Sequence, residues 1–301
     1  MAHYLITGGT GLIGSTLSQH LINSNHNVTV LSRQPKKVPR ICGDKANAVT
    51  SFGDINDQIK FDGVINLAGA PIADRHWTSK RKAILEQSRI GITAELITWM
   101  KHRKLKPNCL ISGSAVGWYG DGGNKVLTES SDFHGEYTHR LCDAWEKQAL
   151  HAQDLNIRVC IVRTGLVLAS KGGFLQKMLL PFKMGLGGRI GDGQQYMSWI
   201  HINDMIKLIL FLLENQDANG IFNACSPDPV SNKVFSQILA KQLNRPAFFP
   251  VPAWLLKTFL AEMSQLLLTG QRAIPEKAQA LGFQFDYTEL NSALADILSS
   301  R

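Results

Sequence analysis

The sequence predicts an α/β fold: a doubly wound parallel sheet followed by a smaller, mainly helical C-terminal lobe. Three observations predict it. Short apolar runs alternate with helix-length amphipathic stretches as far as Thr164, the texture of strand–helix units whose strands are covered on both faces. Gly8, Gly11 and Gly14 fall where the first of these strands turns directly into a helix. From Ser226 onward the chain is marked by Pro227, Pro229, Pro246, Pro250, Pro252 and Pro275 and reads mainly helical.

The elements follow in order. Residues 3–7, with Tyr4, Leu5 and Ile6, read as a buried strand, and Leu17, Leu21 and Ile22 give the next segment a helical apolar face. Val28 to Leu31 form the second strand and Ala48 to Phe52 the third, closed by Gly53, Asp54 and Ile55. Val64 to Gly69 is the fourth, followed by one helix over residues 79–102 with Ser79 as its N-cap. Cys109 to Ser112 and Val159 to Val162 are the fifth and sixth strands, with a helix over 138–153 between them. Beyond a loop crowded by Gly185, Gly187, Gly188, Gly191 and Gly193, a strand near 198–202, a helix over 203–214 and a strand at 220–224 return to the sheet. His201 reads as a satisfied structural histidine, with Asn203 or Asp204 capping the helix after it. The implied division is a nucleotide-binding domain of residues 1–165 and 194–225 and a substrate lobe of 166–193 and 226–301.

Composition bounds the function classes. A chain of 301 residues with 44% hydrophobic and 19% charged residues is an ordinary globular protein. Its net charge of +8 is spread along the sequence. The densest run, Lys101 to Lys106, ends a helix before Pro107, where cations complement the helix dipole; this argues against a nucleic-acid surface. The excess suits a phosphate-rich cofactor and an anionic small-molecule substrate. The five cysteines are widely spaced and include no C-x-x-C pair, which predicts free thiols, a reducing compartment and no zinc site. The apolar stretches are too short or too charged to span a bilayer, and the first strand leaves no room for a signal peptide. The expected location is cytoplasmic.

The glycine turn carries the chemistry. Gly9-x-Gly11-x-x-Gly14 between strand and helix lets the backbone approach a pyrophosphate, whose charge meets the free N–H groups of the helix start. This is the turn of a Rossmann-type domain. The second strand ends at Ser32 and Arg33, with no acidic residue before Asp44. A carboxylate there would hold a ribose 2′-hydroxyl; a guanidinium grips a 2′-phosphate, so NADP(H) is the expected cofactor. Lys36, Lys37 and Arg40 read as a solvated basic loop.

Several stretches resemble the extended short-chain dehydrogenase/reductase superfamily, the NAD-dependent epimerases and dehydratases. Thr7-Gly8-Gly9-Thr10-Gly11-Leu12-Ile13-Gly14 is similar to its cofactor turn. Asp54-Ile55 looks like its adenine contact, and Asn66-Leu67-Ala68-Gly69 like the motif after its fourth strand. Ser112-Gly113-Ser114-Ala115 resembles its catalytic-serine strand end, and Arg163-Thr164-Gly165, Trp199-Ile200-His201 and Phe222-Asn223-Ala224 also fit. The likeness covers residues 2–225, and the tail from Pro227 to Leu294 looks like the extra domain of the YfcH-type epimerase family proteins. The resemblance implies cofactor contacts at Gly8, Thr10, Gly11, Leu12, Ile13, Gly14, Ser32, Arg33, Asp54, Ile55, Leu67, Ala68 and Gly69.

The family's acid/base is a tyrosine whose pKa is lowered by a lysine four residues on. Here Tyr137 is followed at that spacing by Leu141, and no tyrosine in the chain has the lysine. Ser114 is the candidate for polarising a substrate oxygen, Tyr137, Tyr119 or His139 for supplying the proton, and Trp118 and Arg189 for meeting substrate. Two functions remain open: an atypical NADP(H)-dependent oxidoreductase or epimerase acting on a carbonyl or sugar-like small molecule, and a cofactor-binding sensor that has lost catalysis. In either, Arg33→Ala is expected to weaken NADPH binding by about 1.5–3 kcal/mol, with NADH affected less. Paired fluorescence titrations with the two cofactors check this, and equal weakening contradicts it.

Overall fold

The computed structural model describes residues 1–299. Seven strands form one parallel sheet: β1 (His3–Thr7), β2 (Asn27–Leu31), β3 (Asn47–Val49), β4 (Gly63–Asn66), β5 (Cys109–Ala115), β6 (Arg158–Thr164) and β7 (Gly220–Ala224). Their spatial order is β3-β2-β1-β4-β5-β6-β7, and every neighbouring pair is parallel. The chain starts in the middle, builds outward to β3, then crosses back beside β1 to lay down β4. The two halves therefore diverge between β1 and β4, and the crevice outside the carboxyl ends of those strands is where such sheets bind ligands.

Alternation within the strands makes two cores. Ile6, Val30, Ile65 and Ile111 point to one face, against Leu17 and Leu21 of α1 (Leu12–Asn23) and Leu208 and Leu212 of a long helix, Ile202–Glu214. Leu5, Val64, Leu110 and Val159 point to the other, against Leu96, Met100 and Ala149. Both faces are buried because helices cover both. Each fully buried aliphatic side chain contributes about 1.5–3 kcal/mol, so the sheet is held by its period-two pattern rather than by any single pair.

The remaining helices that bear on the site are α2 (Val38–Cys42), α3 (Ser79–Glu86), α4 (Ile92–His102), α5 (Tyr137–Leu150), α6 (Gly173–Lys183), α7 (the Ile202–Glu214 helix), α8 (Asn232–Gln242) and α9 (Ala253–Leu260). Leu175 and Leu179 of α6, Trp199, Phe235 and Leu239 of α8, and Leu290 and Leu294 of the last helix share a separate cluster, the core of the smaller lobe. Asp204 of α7 ties that lobe down: its carboxylate accepts the backbone N–H groups of Asp286 and Tyr287, each at 2.9 Å.

Several expectations change. The helix expected over 79–102 is two helices joined by a π-helical turn, Gln87–Gly91. Its N-cap is Thr78, whose hydroxyl accepts from Arg81 N at 3.2 Å, so Ser79 is already inside the helix. The third strand stops at Val49, because Ser51 and Asp54 form a capping box around the following turn. The fourth strand stops at Asn66 instead of running to Gly69. The strand at Trp199–His201 does not rejoin the sheet. It pairs with Leu166–Leu168, since Gly165 leaves the sheet with Ser198 O so close that a Cβ would sit 2.5 Å from it. His201 itself caps α7, its Nδ1 accepting from Asn203 N at 3.1 Å, which releases Asn203 and Asp204 from that role. Among the described residues no helix is long and apolar enough to cross a membrane, and no group of three metal-ligating side chains gathers.

Candidate active site and dinucleotide cleft

A cleft of about 700 Å³ opens over the carboxyl ends of β1, β2 and β4. Its floor is the glycine turn. Gly8 has φ +69°, and a Cβ there would lie 2.4 Å from Leu67 O, so β1 and β4 leave the sheet backbone against backbone. A Cβ on Gly14 would meet Gly8 O at 2.5 Å and Gly9 Cα at 2.7 Å, which is how closely α1 seats on the turn. Gly11 is the N-cap of α1; no side chain caps this helix and no acidic residue stands in its first turn. Those orphan N–H groups and the dipole end face the cleft as an anion site.

Of the residues expected to hold the cofactor, Gly8, Thr10, Gly11, Ser32, Arg33, Leu67, Ala68 and Gly69 line the cleft. Leu12, Ile13 and Gly14 stand behind that lining, in the first turn of α1. Asp54 and Ile55 are not in the lining either. Asp54 turns its carboxylate onto Thr50 Oγ1 (2.6 Å), Thr50 N (3.0 Å) and Ser51 N (2.8 Å). These bonds, the Thr50 hydroxyl first, bring its pKa down to about 2. Ile55 is buried with Val49 and Phe61. At the β2 end, Arg33 is exposed and is joined by Lys37, a residue that the sequence pattern placed in a solvated loop. Among the described residues Glu95, on α4, is the one carboxylate lining the cleft. Volume, cradle, uncapped helix end and paired cations fit a dinucleotide phosphate chain.

Outside the cleft lining, a second cluster centres on Tyr137, the first residue of α5. Its ring is buried against Trp77, with centroids 4.9 Å apart, and against Leu85, Leu141 and Met263. Its hydroxyl is buried and has no hydrogen-bond partner among the described residues. Burial above all, then the Glu86 carboxylate, pushes its pKa up to about 12, with Glu262 acting the same way and Arg89 and Arg140 opposing. Leu141 fills the place of the family's lysine, and cations come from other elements instead. Lys82 Nζ of α3 stands 4.4 Å from the Tyr137 ring centroid. Arg89, in the π turn, lies over the Trp145 ring at 5.5 Å, and its Cζ is 3.1 Å from where a Gly69 Cβ would be.

The π turn is held by buried hydrogen bonds. Thr93 Oγ1 donates to Arg89 O at 2.6 Å and accepts from Asn66 Nδ2 at 2.8 Å and Trp145 Nε1 at 3.1 Å. Thr7 Oγ1 donates to Asn66 Oδ1 at 2.6 Å. Asn66 is thus a structural hub at the strand ends. Lys82 and Arg89 were not singled out from the sequence; the available signal was Gly91 and Thr93 inside a continuous helical pattern, where both weaken a regular α-helix.

Apart from Arg189, the other candidates are committed elsewhere. Ser114 Oγ donates to Glu146 Oε1 at 2.5 Å. Arg163 clasps the same carboxylate through Nε (2.9 Å) and a second nitrogen (2.8 Å). All three side chains are buried. Burial works against charge on Arg163, but the Glu146 carboxylate outweighs it and raises the net pKa. Tyr119 is fully buried and donates to Asn223 Oδ1 at 2.8 Å; burial lifts its pKa to about 12. Trp118 lies flat under the Arg163 guanidinium, 3.5 Å from centroid to Cζ, and edge-on to Tyr119. His139 bonds Trp118 O through Nδ1 at 2.6 Å and stacks on Phe133. Arg189 is exposed in the glycine-rich loop.

Residues 4–225 match the NAD dependent epimerase/dehydratase family, and residues 251–297 match a domain of unknown function, DUF1731. An epimerase family protein of Staphylococcus aureus (strain MW2) is 38% identical over 307 residues, covering 99% of each chain. Among solved structures, the human epimerase family protein SDR39U1 (isoform 2), crystallised with NADPH, is 30% identical. It superposes with a TM-score of 0.89 over 99% of this chain and 100% of its own. A nucleoside-diphosphate sugar epimerase of Corynebacterium glutamicum is 28% identical with a TM-score of 0.79, over 100% of this chain and 59% of its own.

The buried triad predicts a stability pattern. Glu146→Ala, which strands the Arg163 charge, is expected to cost about 3–5 kcal/mol. Ser114→Ala, which removes one bond to a charged partner, is expected to cost about 1.5–3 kcal/mol. Urea unfolding checks both, and a Glu146→Ala protein as stable as the parent contradicts the assignment.

Proposed function

Because the chain belongs to the NAD dependent epimerase/dehydratase family and carries the DUF1731 extension, we propose that it uses NADPH to reduce a carbonyl group on a small molecule, with Tyr137 giving the proton. The observation that carries this reading is the state of Tyr137: a buried phenol without a hydrogen-bond partner among the described residues, whose pKa is pushed up to about 12. Epimerisation and alcohol oxidation both begin by withdrawing a proton, which requires a tyrosinate. A phenol kept neutral to that extent is a poor base. It is a competent acid toward an oxygen that is gaining negative charge, as in carbonyl reduction.

The preference for NADPH rests on Arg33 and Lys37 at the β2 end of the cleft and on the absence of a carboxylate from that loop's lining. A reduced nicotinamide bound in the cleft supplies a hydride. The chain's own part is to hold the phosphates on the Gly8–Gly11 turn and to present the Tyr137 proton from an apolar wall of Trp77, Leu85 and Leu141. Arg189 is the cation this reading leaves for an anionic group on the substrate. The buried free thiols suit a reducing compartment, and the cytoplasm is the proposed location.

A second reading, a cofactor-binding sensor without turnover, is favoured by one observation. The Ser114 hydroxyl, the family's usual partner for the reacting oxygen, spends its proton on Glu146. The two readings separate on a panel of aromatic aldehydes and quinones assayed by NADPH consumption. The reductase reading predicts a rate that is level through neutral pH, as a neutral phenol requires. It also predicts a loss of about 10²–10⁴-fold in Tyr137→Phe with NADPH affinity unchanged. A rate that climbs with pH, or a Tyr137→Phe protein as fast as the parent, contradicts it.

A further inference from the structure

We propose that the C-terminal unit matching DUF1731 is a working part of the Tyr137 site: its Glu262 holds the Lys82 ammonium over the Tyr137 ring, and both are positioning residues for that hydroxyl. The proposal rests on the reading of Tyr137 as the proton donor.

Geometry brings the unit there. Lys82 Nζ is 2.5 Å from Glu262 Oε2 and 4.4 Å from the Tyr137 ring centroid. The next residue, Met263, is buried in one cluster with Trp77, Leu85, Tyr137 and Leu141, flanked by Leu260 and Leu266. Glu262 and Met263, which follow α9, therefore stand at the tyrosine cluster, and they reach it through a sharp corner. Ala261 has φ +47° and ψ −128°, a conformation that glycine adopts freely and alanine does not. A helix continuing through Ala261 would carry Glu262 and Met263 along the α9 axis. The strained corner turns them onto Tyr137 instead, and strain held at one point by its surroundings marks a constrained site.

The pair is a poor stabiliser. Its side chains are 26% and 39% exposed, and a solitary ion pair at such a place contributes little to folding. Its position over an aromatic ring has a chemical use. When the phenol releases its proton, negative charge spreads into the ring, and an ammonium held above that ring stabilises it. Lysine is flexible and strongly hydrated, so without a carboxylate to anchor it the ammonium returns to water. The other charged groups acting on Tyr137 are Glu86 beside Lys82 on α3, Arg89 in the π turn and Arg140 on α5 itself. None of these replaces an ammonium over the ring face. The missing lysine of α5 is thereby answered from α3, with the C-terminal unit as its anchor.

The test places a difluorotyrosine at position 137 of the full chain, its fluorines bringing the phenol's ionisation into a range the fold tolerates. Its fluorine resonance is titrated in the parent, in Lys82→Met, in Glu262→Gln and in the double variant. Lys82→Met is expected to move the midpoint up by about one pH unit. Glu262→Gln is expected to lower the midpoint when Lys82 is absent, by removing a bare negative charge. With Lys82 present it should leave the midpoint level or raise it, because the ammonium is released. Identical midpoints in the parent and Lys82→Met, or shifts that simply add in the double variant, overturn the proposal. Lys82→Arg should keep the parent midpoint, which separates a charge effect from a packing effect. No turnover is needed for this readout, so a Tyr137→Phe protein that still reduced carbonyls would remove the proposed function while the pair is judged separately.

Discussion

Polar atoms buried at the carboxyl ends of β1, β4 and β5 reach no water and must satisfy one another, and they do so through Asn66 and Thr93. Thr93 Oγ1 donates one bond and accepts two, which uses the whole capacity of a hydroxyl. That closure joins the sheet, the π turn and α5 at one atom. Losing any partner would leave a buried donor or acceptor unpaired, at about 1–3 kcal/mol each. The sheet can therefore shift little against the helices that carry Lys82, Arg89 and Tyr137.

The departure from the family's pattern then has a physical consequence. With Leu141 in the lysine's place, Tyr137 and Leu141 share a buried apolar cluster, and the phenol of Tyr137 is desolvated. The surrounding charges are mixed, Glu86 and Glu262 against Lys82, Arg89 and Arg140, so the phenol stays protonated where a standard dehydrogenase would want a phenolate. Ser114 is drawn the other way, into the Glu146–Arg163 pair. One strand end is thus tied into a buried ion pair while the neighbouring helix start carries a desolvated phenol.

How far the sequence could be read depended on how local each feature was. The glycine turn, the strand–helix alternation behind the parallel sheet and Arg33 at the end of β2 depend on adjacent residues, and their patterns were legible. Thr78 in place of Ser79 is a one-residue capping choice between two hydroxyls of similar preference. The strand at Trp199–His201 was recognisable as a strand, but its partner was not, because the choice was made by Gly165 packing on Ser198 across the fold. Glu146 and Arg163 sit 17 residues apart on a helix and a strand, and nothing in either segment announces the other. Tyr119 looked available next to Trp118, yet the 3₁₀ turn that carries both points it into the core toward Asn223. The cations near Tyr137 were hidden for the same reason: the pattern to search for was a spacing along α5, and the structure supplies charge across elements.

The most direct measurement of the central claim is isotopic. Purified protein is incubated with NADPH deuterated at the transferable nicotinamide position together with a metabolite extract, and the products are read by mass spectrometry. Deuterium in one carbonyl-derived alcohol, absent when Tyr137→Phe replaces the parent, is the predicted result. Tight NADPH binding with no label in any metabolite would contradict a reductase and leave a cofactor-binding sensor or an epimerase that returns its hydride internally.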